Sequence, residues 1–142
     1  MGLVDELEKD CGFNYKEAFA RFLNKEDMVK EFLKLFIDVE KKEIAELTKS
    51  YENQDIPSLR NHAHSIKGAA RNVSLCNLGN LGSALQWVCD GMPSDYGDVE
   101  VASTFLKKSL EGKSNVDNKA ALYEAILLEF SKVEEIIKKY IG

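Results

Sequence analysis

Cysteine, proline and tryptophan are scarce in this 142-residue chain, with three, two and one respectively. Cys11, Cys76 and Cys89 are odd in number and far apart, which fits neither a disulfide framework nor a paired zinc ribbon, so a reducing cytoplasm is the expected compartment. No stretch of eighteen apolar residues is present, and no apolar block follows a basic N-terminus; neither a membrane span nor a secretory signal is expected. Met1-Gly2 opens like an acyl-anchor signal, but Glu6 stands where that signal needs Ser or Thr. Alternating apolar and polar runs bounded by turn residues, the mark of strands, are also hard to find. Finally, a formal net charge of −5 excludes a general nucleic-acid binder, whose phosphate affinity rests on clustered Lys and Arg.

What is there is helical periodicity. Apolar residues make up 44% of the chain, enough for one buried core, and recur at spacings of three and four throughout. A first short helix runs through Leu3, Val4 and Leu7 and stops before Gly12. A second starts at Asn14, with Glu17 completing a capping box, and carries Phe19, Phe22 and Leu23. From about Glu26 to Ser50 a long helix places Val29, Phe32, Phe36, Val39 and Leu47 on or near one apolar stripe. Asp55 caps the next helix, with Pro57 tolerated in its first turn, and this helix runs to about Val73. Ser74 is a break or new cap before a helix carrying Leu75, Leu78, Leu81, Leu85 and Val88, whose interior Gly79 and Gly82 point to close helix packing. The pattern fails at residues 91–97, a shorter helix passes through Val101, Phe105, Leu106 and Leu110, and Asn115 or Asp117 caps a last long helix with Leu122, Ile126, Phe130, Val133 and Ile137 inside. The expectation is a single all-α domain over residues 1–142, an antiparallel four-helix bundle with additional short helices.

Charge placement singles out the middle of the chain. Residues 56–89 contain Arg60, Lys67 and Arg71 but no Asp or Glu, so this segment carries +3 while the remainder carries −8. A solvated bundle face normally mixes signs, so an acid-free stretch of this length reads as a surface kept compatible with an anion. At 100° per residue, Leu59, Ala63, Ile66, Ala70 and Val73 form the core-facing seam of the fourth helix. One residue round from it, Arg60, His64, Lys67, Gly68 and Arg71 share a face. Histidine offers a neutral nucleophilic nitrogen at cellular pH, lysine a compact cation for phosphoryl oxygens, and arginine a fork for an anion or an acidic partner. Gly68 removes a side chain that would crowd the imidazole, a reason for tolerating a residue that costs a helix about 1 kcal/mol against alanine.

The run Ala63-His64-Ser65-Ile66-Lys67-Gly68, with Asn72, Val73 and Leu78 at their offsets, closely resembles the histidine-containing phosphotransfer (HPt) family. The resemblance is strongest over residues 14–90. It implies that His64 accepts a phosphoryl group from the aspartyl phosphate of a receiver domain, or from a histidine kinase, and hands it on. It further implies that Lys67 is the electrostatic helper, Gly68 the clearance residue, and Arg71, Arg60 and Ser65 contacts for the docked partner. Members are carriers in two-component phosphorelays rather than kinases, and no Gly-rich nucleotide-binding segment appears here. No cofactor of the chain's own is expected; Mg²⁺ is expected on the partner receiver during transfer. Two departures stand out: Ser74 replaces a usual second glycine, and Gln86 stands where an acid often follows the leucine matched by Leu85.

Other readings compete. The chain could be the phosphotransfer domain of a larger sensor or chemotaxis kinase, or a binding bundle that docks receivers or kinases without using His64. A metal-binding helical protein is a third reading, but His62 lies about 200° from His64 and the pair lacks the i,i+4 spacing of a helical zinc site. His62 is read as a surface histidine, Phe32 and Phe36 as core, and Cys76 and Cys89 as small apolar residues. An apolar patch near His64, using Leu75 or the aromatic residues of the second helix, would suit transient docking. Trp87 either covers the bundle or joins a partner surface. A cytoplasmic monomer with no nucleic-acid or membrane partner is expected.

Overall fold

Helical punctuation in the sequence translates directly into the architecture. The computed structural model describes residues 2–90 and 115–141, of which 115–118 are described by backbone alone. Six helices appear among the described residues: α1 (Leu3–Cys11), α2 (Tyr15–Arg21), α3 (Glu26–Glu52), α4 (Ile56–Asn72), α5 (Cys76–Cys89) and α6 (Asn115–Ile141). The protein is a helical bundle. The loop at 91–97 and the short helix through 101–110 lie outside the described residues, whereas Asn115 and Asp117, expected to cap the last helix, lie inside its first turn.

Gly12 ends α1 in the left-handed region at φ +64°, and an added Cβ there would also strike the Asn77 side chain. The Asn14 side chain accepts from the Glu17 amide and caps α2, but the Glu17 carboxylate does not complete the box; Arg21 and Ser74 occupy it. Phe22 is already the C-cap of α2, and Leu23 lies beyond it at φ +58° and 72% exposed. Asp55 caps α4 as the sequence indicates, its side chain accepting from the Ser58 amide at 3.2 Å.

α3 neighbours α4, α4 neighbours α5, α5 neighbours α6, and α6 returns to α3. α3 and α4 run antiparallel, joined by Ser50 with Ser58 and Glu43 with His62. α1 lies on α6, where Lys139 and Tyr140 both donate to Glu6. One continuous core fills the interior. It holds the whole α4 seam of Leu59, Ala63, Ile66, Ala70 and Val73, together with Leu78, Leu81, Leu85 and Val88 of α5 and Leu122, Ile126, Phe130, Val133 and Ile137 of α6. Each fully buried Leu or Ile contributes about 1.5–3 kcal/mol relative to exposure.

The stripe on α3 differs from its sequence reading. Val29, Phe36 and Leu47 are buried, but Phe32 is 38% and Val39 53% exposed, and Leu33, Ile37 and Glu40 take the inward positions. The helix carries two apolar seams one residue apart, and the inner one is interrupted by a carboxylate. Glu40 is buried, its Oε1 has no hydrogen-bond partner among the described residues, and burial followed by the charge of Glu43 pushes its pKa up to about 7. His62 is not a free surface histidine either: it is half-buried, with Nδ1 2.6 Å from Glu43 Oε1.

The α4–α5 junction is tight despite the missing glycine. Ser74 adopts the left-handed conformation itself (φ +61°), and its buried hydroxyl donates to Glu17 Oε1 at 2.9 Å. Its carbonyl accepts from the Asn14 amide, so the chain entering α2 is stitched to the junction. Ser74 is not the cap of α5; Leu75 takes that position without a side-chain hydrogen bond.

Two outcomes follow for stability. Glu40 holds its proton in the folded state between about pH 4.5, its ordinary value, and pH 7, so stability falls as pH rises through that window. Glu40→Gln is expected to flatten this fall and to exceed wild type by about 1–3 kcal/mol at pH 8, read from urea melts at pH 5 and pH 8. Ser74→Ala keeps the left-handed strain and loses the bond to Glu17, so a loss of about 1–2 kcal/mol is expected in the same melts, whereas Ser74→Gly regains part of it by relieving the strain.

Candidate functional site

The face one residue round from the α4 seam lies along the α4–α5 groove. His64 and Gly68 are exposed and Lys67 is half-buried, so the three candidates for the chemistry stand together on one helix face. Ser65 and Arg71 are exposed beside them. No carboxylate among the described residues pairs with Lys67, which leaves its ammonium one turn from the imidazole. Arg60 is different: Asp90, the first acid after the acid-free stretch, reaches back from the end of α5 to its Nε at 2.5 Å. The stretch is therefore partly neutralised at its far end, two turns from Gly68.

α5 supplies the immediate partner of the histidine. His64 Nδ1 lies 3.0 Å from Gln86 Oε1. An amide oxygen only accepts, so this contact favours the tautomer with the proton on Nδ1 and the lone pair on Nε2. The acid expected at this position would place a negative charge beside the ring; glutamine gives the same hydrogen bond without one.

Gly68 acts differently from its sequence reading. A Cβ at Gly68 would meet nothing within 4 Å, so it would not crowd the imidazole, and the space it leaves opens outward. Gly82 is the crowded glycine: a Cβ there would lie 2.9 Å from the Ala63 carbonyl oxygen and 3.1 Å from the Lys67 amide nitrogen. At Gly79 a Cβ would meet only the Arg71 side chain, at 3.0 Å from Cγ.

Sequence reasoning missed Arg21. Its guanidinium donates to the carbonyls of Arg71 at 2.8 Å and Asn72 at 2.5 Å, closing the C-terminus of α4, and also to Glu17. A cation at a helix C-terminus is favoured by the partial negative charge of the unpaired carbonyls. Nothing in the local pattern announces this contact across fifty residues.

An exposed apolar strip lies at the end of α2 and along α3, mostly in residues other than those expected. Leu75 is fully buried and does not contribute. Phe22 stacks on Phe32 with centroids 4.4 Å apart, next to exposed Leu23, and Leu35 and Val39 continue along α3. Since Glu43 faces His62 and Arg21 holds the end of α4, residues 32–39 run beside residues 64–72. The cysteines stay protonated at neutral pH: burial pushes the Cys11 thiol up to about 12 and Cys89 to about 11. Among the described residues no group of three or more His, Cys, Asp or Glu could hold a metal ion, and no helix is long and apolar enough to cross a membrane.

The model of the Hpt domain matches residues 31–116, more than half of the chain. The chain belongs to the Hpt domain family. Hpt domains perform histidine phosphotransfer in phosphorelays, act as phosphocarriers rather than kinases, and interact with receiver domains. The match begins within α3 and extends past α5, whereas the sequence resemblance was strongest over 14–90. No curated protein and no solved structure matches the chain.

The Hpt site makes one prediction about its resting state. Wild-type His64 is expected to show Nδ1–H coupling in ring ¹⁵N–¹H spectra; Gln86→Leu removes the acceptor, and the Nε2–H tautomer should grow at its expense.

Proposed function

We propose that this Hpt domain accepts a phosphoryl group on Nε2 of His64 from the aspartyl phosphate of a receiver and passes it to the aspartate of another. The observation that carries the proposal is the hydrogen bond between His64 Nδ1 and Gln86 Oε1 on an exposed helix face, which leaves Nε2 without a partner among the described residues. In the forward step the Nε2–P bond forms as the P–O bond to aspartate breaks, and the carboxylate leaves with that electron pair. The ring becomes cationic, and its Nδ1 proton remains hydrogen-bonded to Gln86. Lys67 lies one turn on and supplies positive charge for the transferring phosphoryl oxygens. The receiver supplies the Mg²⁺; this chain contributes no cofactor.

Docking takes place across the face that holds His64. Gly68 leaves room for the approaching receiver backbone, Ser65 and Arg71 contact it, and the Phe22, Phe32, Leu35 and Val39 strip provides apolar area at its edge. Arg60, tied to Asp90, is proposed as a peripheral contact. The chain is proposed to work as one cytoplasmic, monomeric domain over residues 1–142, as a carrier without kinase activity of its own.

Incubation with a phosphorylated receiver tests this. A label stable to base and labile to acid is expected on wild type and absent from His64→Gln. Loss of label from wild type together with retained receiver binding would instead identify a docking module that does not use the histidine.

A further inference from the structure

At Gly82 the α5 backbone lies against the α4 backbone in the turn that carries the candidate nucleophile. Gly82 abuts the peptide groups of Ala63 and Lys67, which flank His64 on either side. Ordinary contact for a Cβ begins at 3.4 Å, and here backbone atoms stand at 2.9, 3.1 and 3.2 Å from where one would be. Backbone cannot swing aside as a side chain can, so any residue larger than glycine must push the helices apart. Gln86 follows Gly82 by one turn on the same face, and its amide reaches His64 at 3.0 Å, an ordinary hydrogen-bond length that a displacement of a few tenths of an ångström would carry out of range. Separation at Gly82 is therefore passed directly to the bond that decides which ring nitrogen carries the proton.

We propose that Gly82 is a positioning residue for phosphoryl transfer: by letting the α5 backbone rest on α4 it sets the helix spacing at which Gln86 reaches His64 Nδ1 and leaves Nε2 reactive. This rests on the reading of His64 as the acceptor. Gly79 supplies the internal contrast. It sits one turn earlier in the same helix, has the same helix propensity, and faces only the flexible Arg71 side chain. Gly82→Ala gains propensity but loses spacing, and the two effects separate in the Gly79→Ala comparison.

The test reads ring ¹⁵N–¹H spectra of His64 beside phosphoryl uptake from a phosphorylated receiver. Gly82→Ala is expected to lose the Nδ1–H signal and to slow uptake on the order of 10- to 100-fold, as displacements near one ångström do at reacting centres. Gly79→Ala is expected to keep the tautomer. Should Gly82→Ala not fold, Gln86→Asn probes the same spacing from the other side: one methylene shorter, it should fall short of Nδ1 and lose the signal. A Gly82→Ala protein that melts earlier but keeps both tautomer and rate overturns the proposal, as does an Asn at 86 that keeps the Nδ1–H signal. Label surviving in His64→Gln overturns the acceptor reading, and with it the link to transfer, while the spectra still report the helix spacing independently.

Discussion

Backbone contact between α4 and α5 governs the rest of the arrangement. Once Gly82 lies against the Ala63 carbonyl, the register of the two antiparallel helices is set along their length. Asp90 then faces Arg60, Gln86 faces His64, and Gly79 passes beneath Arg71. The small residues Ala63 and Ala70 in the α4 seam let the neighbouring leucines of α5 fill the interior, so close approach and apolar burial reinforce each other. A groove narrow enough to hold a glutamine against a histidine is a consequence of that packing.

Much of α4 was legible in its sequence because its pattern has no competitor. Leu59, Ala63, Ile66, Ala70 and Val73 form a single apolar seam, and after Ile56 and Pro57 in the first turn every other position of the helix is small or polar. On α3 the reading failed for a physical reason: Met28, Phe32, Leu35 and Val39 make a second seam beside Val29, Leu33, Phe36 and Glu40, and the truly buried one contains a carboxylate. Periodicity detects a stripe, but it does not say which of two stripes meets a partner. The helical setting of His64, Lys67 and Gly68 was equally readable, being local. What joins them to α5 was not, since the Gln86 contact depends on how two helices lie together. Gln86 drew attention as a departure from a family pattern, and the structure gives that departure a partner.

Charge has a coherent distribution around the groove. The sequence keeps acids out of residues 56–89, and the one acid that enters from the end of α5 is spent on Arg60, away from the histidine. A neutral amide at residue 86 continues the same tendency. Among the described residues Lys67 pairs with no carboxylate, so within that set its field is available to an arriving anion without an ion pair having first to break. Among the described residues the buried carboxylates, Glu40 and Glu129, lie on α3 and α6 rather than on α4 or α5.

Glu17 is shared between the Arg21 guanidinium and the Ser74 hydroxyl, while Arg21 also holds the last carbonyls of α4. α2, the end of α4 and the start of α5 are thereby clasped at one point. The clasp ties the segment that leads into Phe22 to the end of the helix that bears His64. A partner docking there would meet elements already tied together by these bonds, and would surrender less conformational freedom on association. Discrimination among closely similar visitors then falls more to their own contours and charges, because this side of the encounter has less freedom to adapt to them.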